Sequence, residues 1–404
     1  MSKPYLILNA GSSSLRFALF EPNGAMELSA TLRGHIEGIP GEARFVATSN
    51  AGRNVVFEHR WTDGSTLNHE AAAGYLLEWV QEKLGGGELA ACGHRVVHGG
   101  MDYEGPALIS APVLAHLETL VPLAPLHQPH NLALIRTIQT RHPNLPQVAC
   151  FDTAFHRHQP RLAQLFALPR QISERGVYRY GFHGLSFEHI ASVLPTIDPT
   201  AAAGRTVVAH LGSGASLCAL RGGKSIATTM GMSPLDGLPM GTRCGALDPA
   251  VAFYLMRELR MQATEVEHLL YEQSGLLGVS GRSGDMRVLR RHAATDPNAV
   301  EAIALLSYRI TREIGALVAI LRGIDGLVFT AGIGENDAAL RADVLRTVSW
   351  LGFELDDAAN TSGGPLLTRG AGPHAWAVPT DEEAVVARHT HTVINGSSHS
   401  GYPT

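Results

Sequence analysis

Two arginines framed by small residues give the first chemical indication. In CGHRVVHGG (92–100) Arg95 stands beside two histidines and a glycine turn, and in GLPMGTRCG (237–245) Arg243 lies among glycines that would let its stem lie against a ligand. A guanidinium offers a planar fork that grips a carboxylate or phosphate through paired hydrogen bonds. The Arg95 motif standing alone reads first as a surface ion pair; two glycine-framed arginines in a nearly neutral chain point to an anionic substrate. Asp152, in FDTAFH (151–156), closes an apolar run at the end of an expected strand, where α/β folds bind ligands; the competing role is a helix cap. His183, in YRYGFHGLS, is flanked by aromatic residues and a glycine, so a packed core histidine stands beside a functional one as a reading.

Three glycine-bearing segments could meet a phosphate or nucleotide. Gly11-Ser12-Ser13-Ser14 joins two apolar runs and offers backbone and hydroxyl donors, as does His210-Leu211-Gly212-Ser213-Gly214. One such turn is commonly only a turn, whereas two make a plausible polyphosphate clamp. Gly332-Ile333-Gly334-Glu335-Asn336 follows a buried apolar run and precedes a helix, either as a close approach to a base or ribose or as an ordinary helix-start turn. Gly223-Lys224-Ser225 is not the end of a Walker A loop, because Cys218 occupies the position of the required first glycine, and no GxGxxG follows a strand. The pairs His127/His130 and His156/His158 lack the third ligand of a zinc site. Asp381, Glu382 and Glu383 follow Pro379-Thr380, where acids stabilise a helix N-terminus or reach a hydrated Mg²⁺.

The elements that must position these residues are an alternation of strands and helices. Residues 5–9 and 15–20 read as a hairpin, 66–84 and 128–142 as helices, and 90–97 and 146–151 as strands. The opening pattern returns from 206, since AHLGSGASLCAL parallels LNAGSSSLRFAL, which suggests two related domains. Asp248-Pro249 and Asp296-Pro297 pair a capping acid with a first-turn proline and predict helices over 249–259 and 297–322. GLVFTAG and 375–379 are further strands, and a helix follows PTDEE. The chain is therefore expected to be a mixed α/β layer protein.

Composition limits the alternatives. The chain has 404 residues, and at roughly 150 per domain it is expected to form two or three domains. It is 45% hydrophobic and 17% charged, too apolar for disorder, with apolar runs well short of the ~20 residues of a membrane helix. A net charge of −5 without a basic run disfavours nucleic acid. Cys92, Cys150, Cys218 and Cys244 form no metal or redox spacing, and the short apolar run at the start does not resemble a secretory signal, so the cytoplasm is the expected location.

Read in order, LNAGSSSLRF, GHRVVHGG, PLAPLH, FDTAFH, YGFHG, HLGSGAS, MGTRCGALDP, FTAGIGEN and PTDEE make the chain closely resemble the acetokinase family, through nine motifs from residue 8 to residue 383. The resemblance implies the actin-like ATPase fold shared with hexokinase. This has two RNase H-like domains with a nucleotide cleft between them, here 1–154 plus 386–404 and 155–385. It implies ATP and ADP as co-substrates, Mg²⁺ with Mn²⁺ as the alternative metal, acetate or another short-chain carboxylate, acetyl phosphate, and a homodimer. By the same resemblance Asn9 and Glu382 match magnesium-associated residues, and Ser12 and Arg16 belong to the first phosphate turn. His210, Leu211, Gly212, Ser213 and Gly214, then Asp285, Met286 and Arg287, then Gly332, Ile333, Gly334, Glu335 and Asn336 match the nucleotide side. Arg95 and Arg243 match the arginines that hold the acyl carboxylate and the phosphoryl group in flight. His183 matches the histidine that stabilises that group, and Val97, Leu126, Phe182 and Pro234 match a small apolar pocket for the substrate methyl.

The chain departs from the family pattern at a few positions. Arg16 stands for a lysine, Leu185 and Phe187 for a threonine and a histidine, Ser213 for an asparagine, and Ala227 and Ala246 for acidic residues. The implied reaction is reversible in-line transfer of the γ-phosphoryl group of ATP to acetate. Acetate is already ionised at neutral pH, so catalysis would rest on position and charge, with Asp152 orienting an arginine or a metal-bound water or serving as an acid/base. A kinase preferring propionate or butyrate and a non-catalytic nucleotide-binding homologue are the alternatives.

Overall fold

A computed structural model describes residues 3–11, 13–23, 27–39, 41–49, 54–61 and 67–396. The chain divides into two compact units, Met1–Arg157 with Asp381–Thr404, and His158–Thr380. These boundaries lie a few residues from the expected 154/155 and 385/386, and the second crossing falls just before the helix Glu382–Gly396. Asp381, Glu382 and Glu383 thus group with the first unit.

The first unit is built on an eight-stranded sheet. Its strands are β1 (Tyr5–Ala10), β2 (Ser14–Pro22), β3 (Leu28–Glu37), β4 (Arg44–Ser49), β5 (Asn54–Arg60), β6 (Ala91–Val96), β7 (Ala107–Leu108) and β8 (Gln147–Phe151), in the order β5-β4-β3-β2-β1-β6-β8-β7. β1, β6 and β8 run parallel and are buried along nearly their whole length, as apolar runs covered on both faces should be. Their register sets the chemistry: Asn9 lies beside Arg95, Arg95 beside Cys150, and Asp152 just beyond the end of β8. Asn9, Arg95 and Asp152 therefore gather at the carboxyl ends of adjacent parallel strands. Asn9 also pairs with Arg16 across the opening hairpin.

The helix Glu382–Gly396 lies close on this sheet because Gly93 leaves room for it. A methyl group on Gly93 would come within 2.9 Å of both Ile7 and Val386 and collide with the Thr390 hydroxyl. The helix His69–Lys83 seals another part of the core, where Trp79 makes edge contacts with Phe17 and Phe45 at 5.7 and 5.1 Å between ring centres.

The second unit has a five-stranded sheet of β9 (Arg205–Leu211), β10 (Ala215–Arg221), β11 (Lys224–Thr228), β12 (Gly326–Thr330) and β15 (His374–Ala377), in the order β11-β10-β9-β12-β15. A separate two-stranded ribbon joins β13 (Glu354–Leu355) to β14 (Thr368–Arg369). β9, β10 and β11 are antiparallel neighbours, and β12 and β15 add in parallel on the other side of β9. The first sheet repeats this succession in β3-β2-β1-β6-β8. The parallel between the two opening hairpins in the sequence is thus matched by a parallel in strand order and direction.

The capping acids act as their spacing predicts. Asp248 accepts from Ala250 N and starts the helix Pro249–Arg257, and Asp296 accepts from Asn298 N and Ala299 N and starts Pro297–Leu321. One local expectation is corrected. Gly332–Asn336 is not a turn leading into a helix but is itself helical, within Ala331–Asn336, entered directly from β12 through Ala331 at φ 64°. Among the described residues, no helix is long and apolar enough to cross a membrane.

Two buried histidines near the Arg95 strand end carry a pH signature. His94 Nε2 lies 2.8 Å from Gln147 Oε1, and His98 Nδ1 accepts from Gly100 N at 2.9 Å. Burial brings each imidazole from 6.5 down to about 4, in His94 despite the Gln147 contact. Above pH 6.5 both are neutral whether the chain is folded or not. Below it the unfolded chain binds protons that the folded chain does not, so stability falls as pH drops from 6.5 towards 4. The expected loss is roughly 2 kcal/mol per imidazole at pH 5. Thermal melts should show a smaller drop in Tm between pH 7 and pH 5 for His94→Gln and His98→Gln than for the parent chain, and equal drops would contradict the assignment.

Candidate active site

In the first unit the site is organised around Arg95. Its Nε and Nη2 donate to the two oxygens of Asp152 at 2.9 and 2.5 Å, its Nη1 donates to Asn9 Oδ1 at 2.9 Å, and Glu382 Oε2 lies 3.8 Å from Nε. The Asp152 side chain is 2% exposed and that of Arg95 19%, so the arginine's ion pair is not the surface contact to which its motif alone pointed. Burial alone would lower the guanidinium pKa, but the charges of Asp152 and Glu382 and the Asp152 hydrogen bonds outweigh it, and the group is held more firmly cationic than usual.

The acids after Thr380 divide their labour. Asp381 accepts from Ala384 N at 2.9 Å, which is the expected cap, and also pairs with Arg33 at 2.6 Å. Glu383 is hydrogen-bonded to Arg33 as well; burial raises its pKa, with the charge of Arg33 opposing and those of Asp381 and Glu382 adding. Glu382 is the member turned to Arg95.

The segment after Arg95 is pinned by side chains that the sequence reading did not select. Asn131 Oδ1 accepts from Val97 N at 3.1 Å while its Nδ2 donates to Ala10 O at 3.0 Å, tying the end of β1 to the end of β6. Gln128 bonds both the N–H and the carbonyl of His98, and Thr153 accepts from Gly99 N. His69 Nε2 lies 2.7 Å from Gly11 O at the first glycine-serine turn. Ser12 of that turn lies outside the described residues, and Arg16 is exposed on β2. The hydrogen-bonding types of Asn131, Gln128, Thr153 and His69 alone gave no signal; only the fold brings them to these backbones.

In the second unit the organising group is a pair of histidines. His183, at φ 57°, precedes the helix Gly184–Ile197 and is only partly buried, so it is not the fully packed core histidine that its neighbours allowed. Its ring stacks on His210 at 4.2 Å between centres and 18° between planes. His183 Nδ1 lies 2.8 Å from Ser216 Oγ, and His210 Nδ1 lies 2.7 Å from Ser186 Oγ. A methyl group on Gly214 would sit 3.0 Å from His183 Nε2 and 3.8 Å from Arg243 Nη1, so the second glycine turn, His183 and Arg243 do meet. Pro234 O accepts from Arg243 Nη1 at 2.9 Å and fixes the direction of the guanidinium.

The other expected nucleotide residues are less concentrated. Leu211 is buried at the end of β9 and Ser213 is exposed at the hairpin tip. Asp285 caps the helix Met286–His292 through Arg287 N and pairs with the exposed Arg287 side chain, which lowers the Asp285 pKa, while Met286 is buried. In the Ala331–Asn336 helix Gly332 opens to solvent, Gly334 packs against Phe329, and Ile333 is half-buried. Glu335 Oε1 accepts from Thr380 N at 3.2 Å, and Asn336 Nδ2 donates to Gly332 O. Of the apolar pocket residues, Val97 is buried and Leu126 is 38% exposed in the first unit, and Phe182 and Pro234 are buried in the second. Leu185, Phe187 and Ala227 are buried in the second unit, where Phe187 meets His210 edge-on at 6.4 Å.

Among the described residues, no three His, Cys, Asp or Glu side chains form a metal cage. Asn9 and Glu382 nevertheless both converge on Arg95, and both supply oxygen. That donor set fits magnesium, which keeps most of its water and takes one or two protein oxygens together with substrate phosphates.

Known proteins resemble this chain across nearly its whole length. The sequence pattern of the acetokinase family matches residues 4–388. Acetate kinases from Rhodopseudomonas palustris and Methylocella silvestris are 48% and 47% identical over 401 residues, covering 98% of this chain and 100% and 99% of their own. A propionate kinase from Francisella tularensis has a TM-score of 0.89 at 34% identity, covering 96% of this chain and 99% of its own. The acetate kinase of Porphyromonas gingivalis has a TM-score of 0.85 at 32% identity, covering 97% and 100%. The two mixed α/β units therefore carry the actin-like ATPase fold that the sequence resemblance implies, and the chain belongs to the acetokinase family.

Proposed function

We propose that this protein transfers the γ-phosphoryl group of ATP to the carboxylate of acetate, reversibly, giving ADP and acetyl phosphate. The observation that carries this reading is the Arg95 guanidinium clamped by Asp152, Asn9 and Glu382, in a chain that aligns nearly end to end with acetate kinases. Acetate carries its charge at neutral pH, so no base is needed to create the nucleophile. A carboxylate oxygen attacks the γ-phosphorus, a new P–O bond forms, and the bond to the bridging oxygen breaks with its electron pair leaving on ADP. The task for the protein is to hold the partners in line and to offset charge on the transferring group.

Arg95 would hold the acyl carboxylate, and Arg243 with His183 would meet the phosphoryl oxygens. Asp152 orients Arg95: both its oxygens accept from that guanidinium, which supports a positioning role over acid/base chemistry. Val97, Leu126, Phe182 and Pro234 would contact the substrate methyl. Ser12, Arg16 and the segments 210–214, 285–287 and 332–336 would bind the nucleotide. Asn9 and Glu382 would hold Mg²⁺, which supplies further neutralisation of phosphate charge when bound. Cys92, Cys218 and Cys244 are free thiols, in keeping with a reducing cytoplasm where ATP is available.

We also propose a homodimer formed through the helix Pro249–Arg257. This helix has no buried residue and exposes Phe253 at 57% and Tyr254 at 54%, with Val251 and Met256 alongside. An apolar face of this kind marks an interaction surface, and a second copy of the chain is the partner that family resemblance supplies.

The function is tested by trapping acyl phosphate with hydroxylamine, using purified protein and Mg-ATP with acetate, propionate or butyrate and a metal-free control. Metal-dependent product strongest on acetate is expected; a longer-acid preference would change the substrate assignment, and no product from a folded, ATP-binding protein would overturn the activity. Arg243→Ala is expected to lower kcat by about 10²–10³-fold, the order found when one preorganised charge donor is removed. A near-normal rate in a folded variant would take Arg243 out of the mechanism. Light scattering should give twice the 43.1-kDa chain mass, and Phe253→Asp should shift it towards the monomer; a parent chain that is monomeric would exclude the dimer.

A further inference from the structure

Both histidines of the stacked pair are held in the same way. Each Nδ1 is within hydrogen-bond distance of a fully buried serine hydroxyl, Ser216 for His183 and Ser186 for His210. Each Nε2 is directed at a glycine of the second phosphate turn. A methyl group on Gly214 would lie 3.0 Å from His183 Nε2, and one on Gly212 would lie 3.8 Å from His210 Nε2. The sheet enforces part of this geometry, because Ser216 on β10 is the register partner of His210 on β9.

The His210 side extends into a chain of hydroxyls. Ser186 Oγ lies 2.8 Å from Thr380 Oγ1, and Thr380 N donates to Glu335 Oε1 at 3.2 Å. Glu335 belongs to the 332–336 segment assigned to the nucleotide, so this chain joins the histidine pair to a second nucleotide-facing element.

We propose that Ser216 and Ser186 are positioning residues that fix both histidines as neutral Nε2–H tautomers, so that the pair presents two N–H donors to phosphate oxygens at the Gly212–Gly214 turn. The inference rests on the reading of that turn as a phosphate site. Which imidazole nitrogen carries the proton is set by the partner of the other nitrogen. A hydroxyl that donates to Nδ1 leaves the proton on Nε2, where a phosphate oxygen can accept from it. For His210 the order is Thr380 Oγ1–H to Ser186 Oγ, and Ser186 Oγ–H to His210 Nδ1. The two rings stack at 4.2 Å and Arg243 also faces Gly214, a geometry that disfavours two imidazolium cations side by side. Serine at these places therefore does what a carboxylate could not: it orients the imidazole without drawing a second proton onto it.

The direct test is neutron diffraction from deuterated crystals of the parent protein, with Ser216→Ala, Ser186→Ala, Thr380→Val and Thr380→Ser compared in kinetics and diffraction. Deuterons on Nε2 and none on Nδ1 of both histidines are expected in the parent. Ser216→Ala should lose the fixed tautomer at His183 and Ser186→Ala that at His210. Each should lower kcat at least about tenfold, the order found when a partner orienting an imidazole is lost, while KM for acetate changes little and Tm stays near the parent value. Thr380→Val should reproduce part of the Ser186→Ala effect, and Thr380→Ser should restore it. A deuteron on Nδ1 of either histidine in the parent, a tautomer unchanged in the serine variants, or full kcat in a variant whose tautomer has changed would overturn the proposal. Should a serine variant fail to fold, the parent diffraction and the Thr380→Val and Thr380→Ser pair still decide it. The tautomers are read without turnover, so absence of acyl phosphate would reject the proposed function while leaving this result to stand separately.

Discussion

The buried pairing of Asp152 with Arg95 is the constraint from which much of the first unit follows. A carboxylate that is 2% exposed must be matched by a cation with good geometry, and removing one member of such a pair typically costs about 3–5 kcal/mol. Three parallel strands provide the match by ending side by side. β1 delivers Asn9, β6 delivers Arg95, and β8 ends one residue before Asp152. The C-terminal helix completes the group with Glu382, and it reaches the sheet closely because Gly93 carries no side chain. Fold and site are here one problem, since the residue that lets the helix dock also lets its first acid approach the arginine.

The second unit solves a different problem with the same strand order. Its charge is carried by Arg243, whose direction is set by a backbone carbonyl, and its histidines are oriented by hydroxyl groups rather than carboxylates. Gly214 allows His183 and Arg243 to stand within contact distance of the turn, and a side chain there would fill the space that the phosphate is proposed to use. Backbone conformations uncommon for side-chain-bearing residues occur at the same places: His183 at φ 57° opens its helix and Ala331 at φ 64° opens the 331–336 helix. Such conformations persist where surrounding packing holds them, and they are common at functional sites.

Much of this was legible in the sequence because it rests on local rules. Asp-Pro starts marked two helices, and continuous apolar runs marked the central strands of both sheets. The glycine frames around Arg95 and Arg243 marked the charged groups at once. The family motifs supplied roles for Asn9, Glu382 and His183 that spacing alone left open. What was not legible depends on tertiary register. β3 and β5 carry largely half-exposed or exposed, weakly patterned residues, and with the more buried β4 between them they extend the opening hairpin at the edge of the sheet. Asn131, Ser186, Ser216 and Thr380 have ordinary polar side chains, and their importance arises from the backbone groups and rings that folding places opposite them. The 332–336 segment looked like a turn because glycine is a poor helix former, and anchoring by the buried Arg341, which donates to Gly334 O and Glu335 O, accompanies the helix instead.

The central claim is that Asp152 acts by holding Arg95 and not by moving a proton. The most direct measurement is the pH dependence of kcat and of kcat/KM for acetate between pH 5.5 and 9, compared for the parent chain and Asp152→Asn with folding checked at each pH. The account predicts that Asp152→Asn lowers both parameters by a constant factor and leaves the shape of the profiles unchanged, because the lost charge disorients Arg95 equally at every pH. A limb in the parent profile that disappears in Asp152→Asn would show that Asp152 itself titrates in the reaction, and would contradict it.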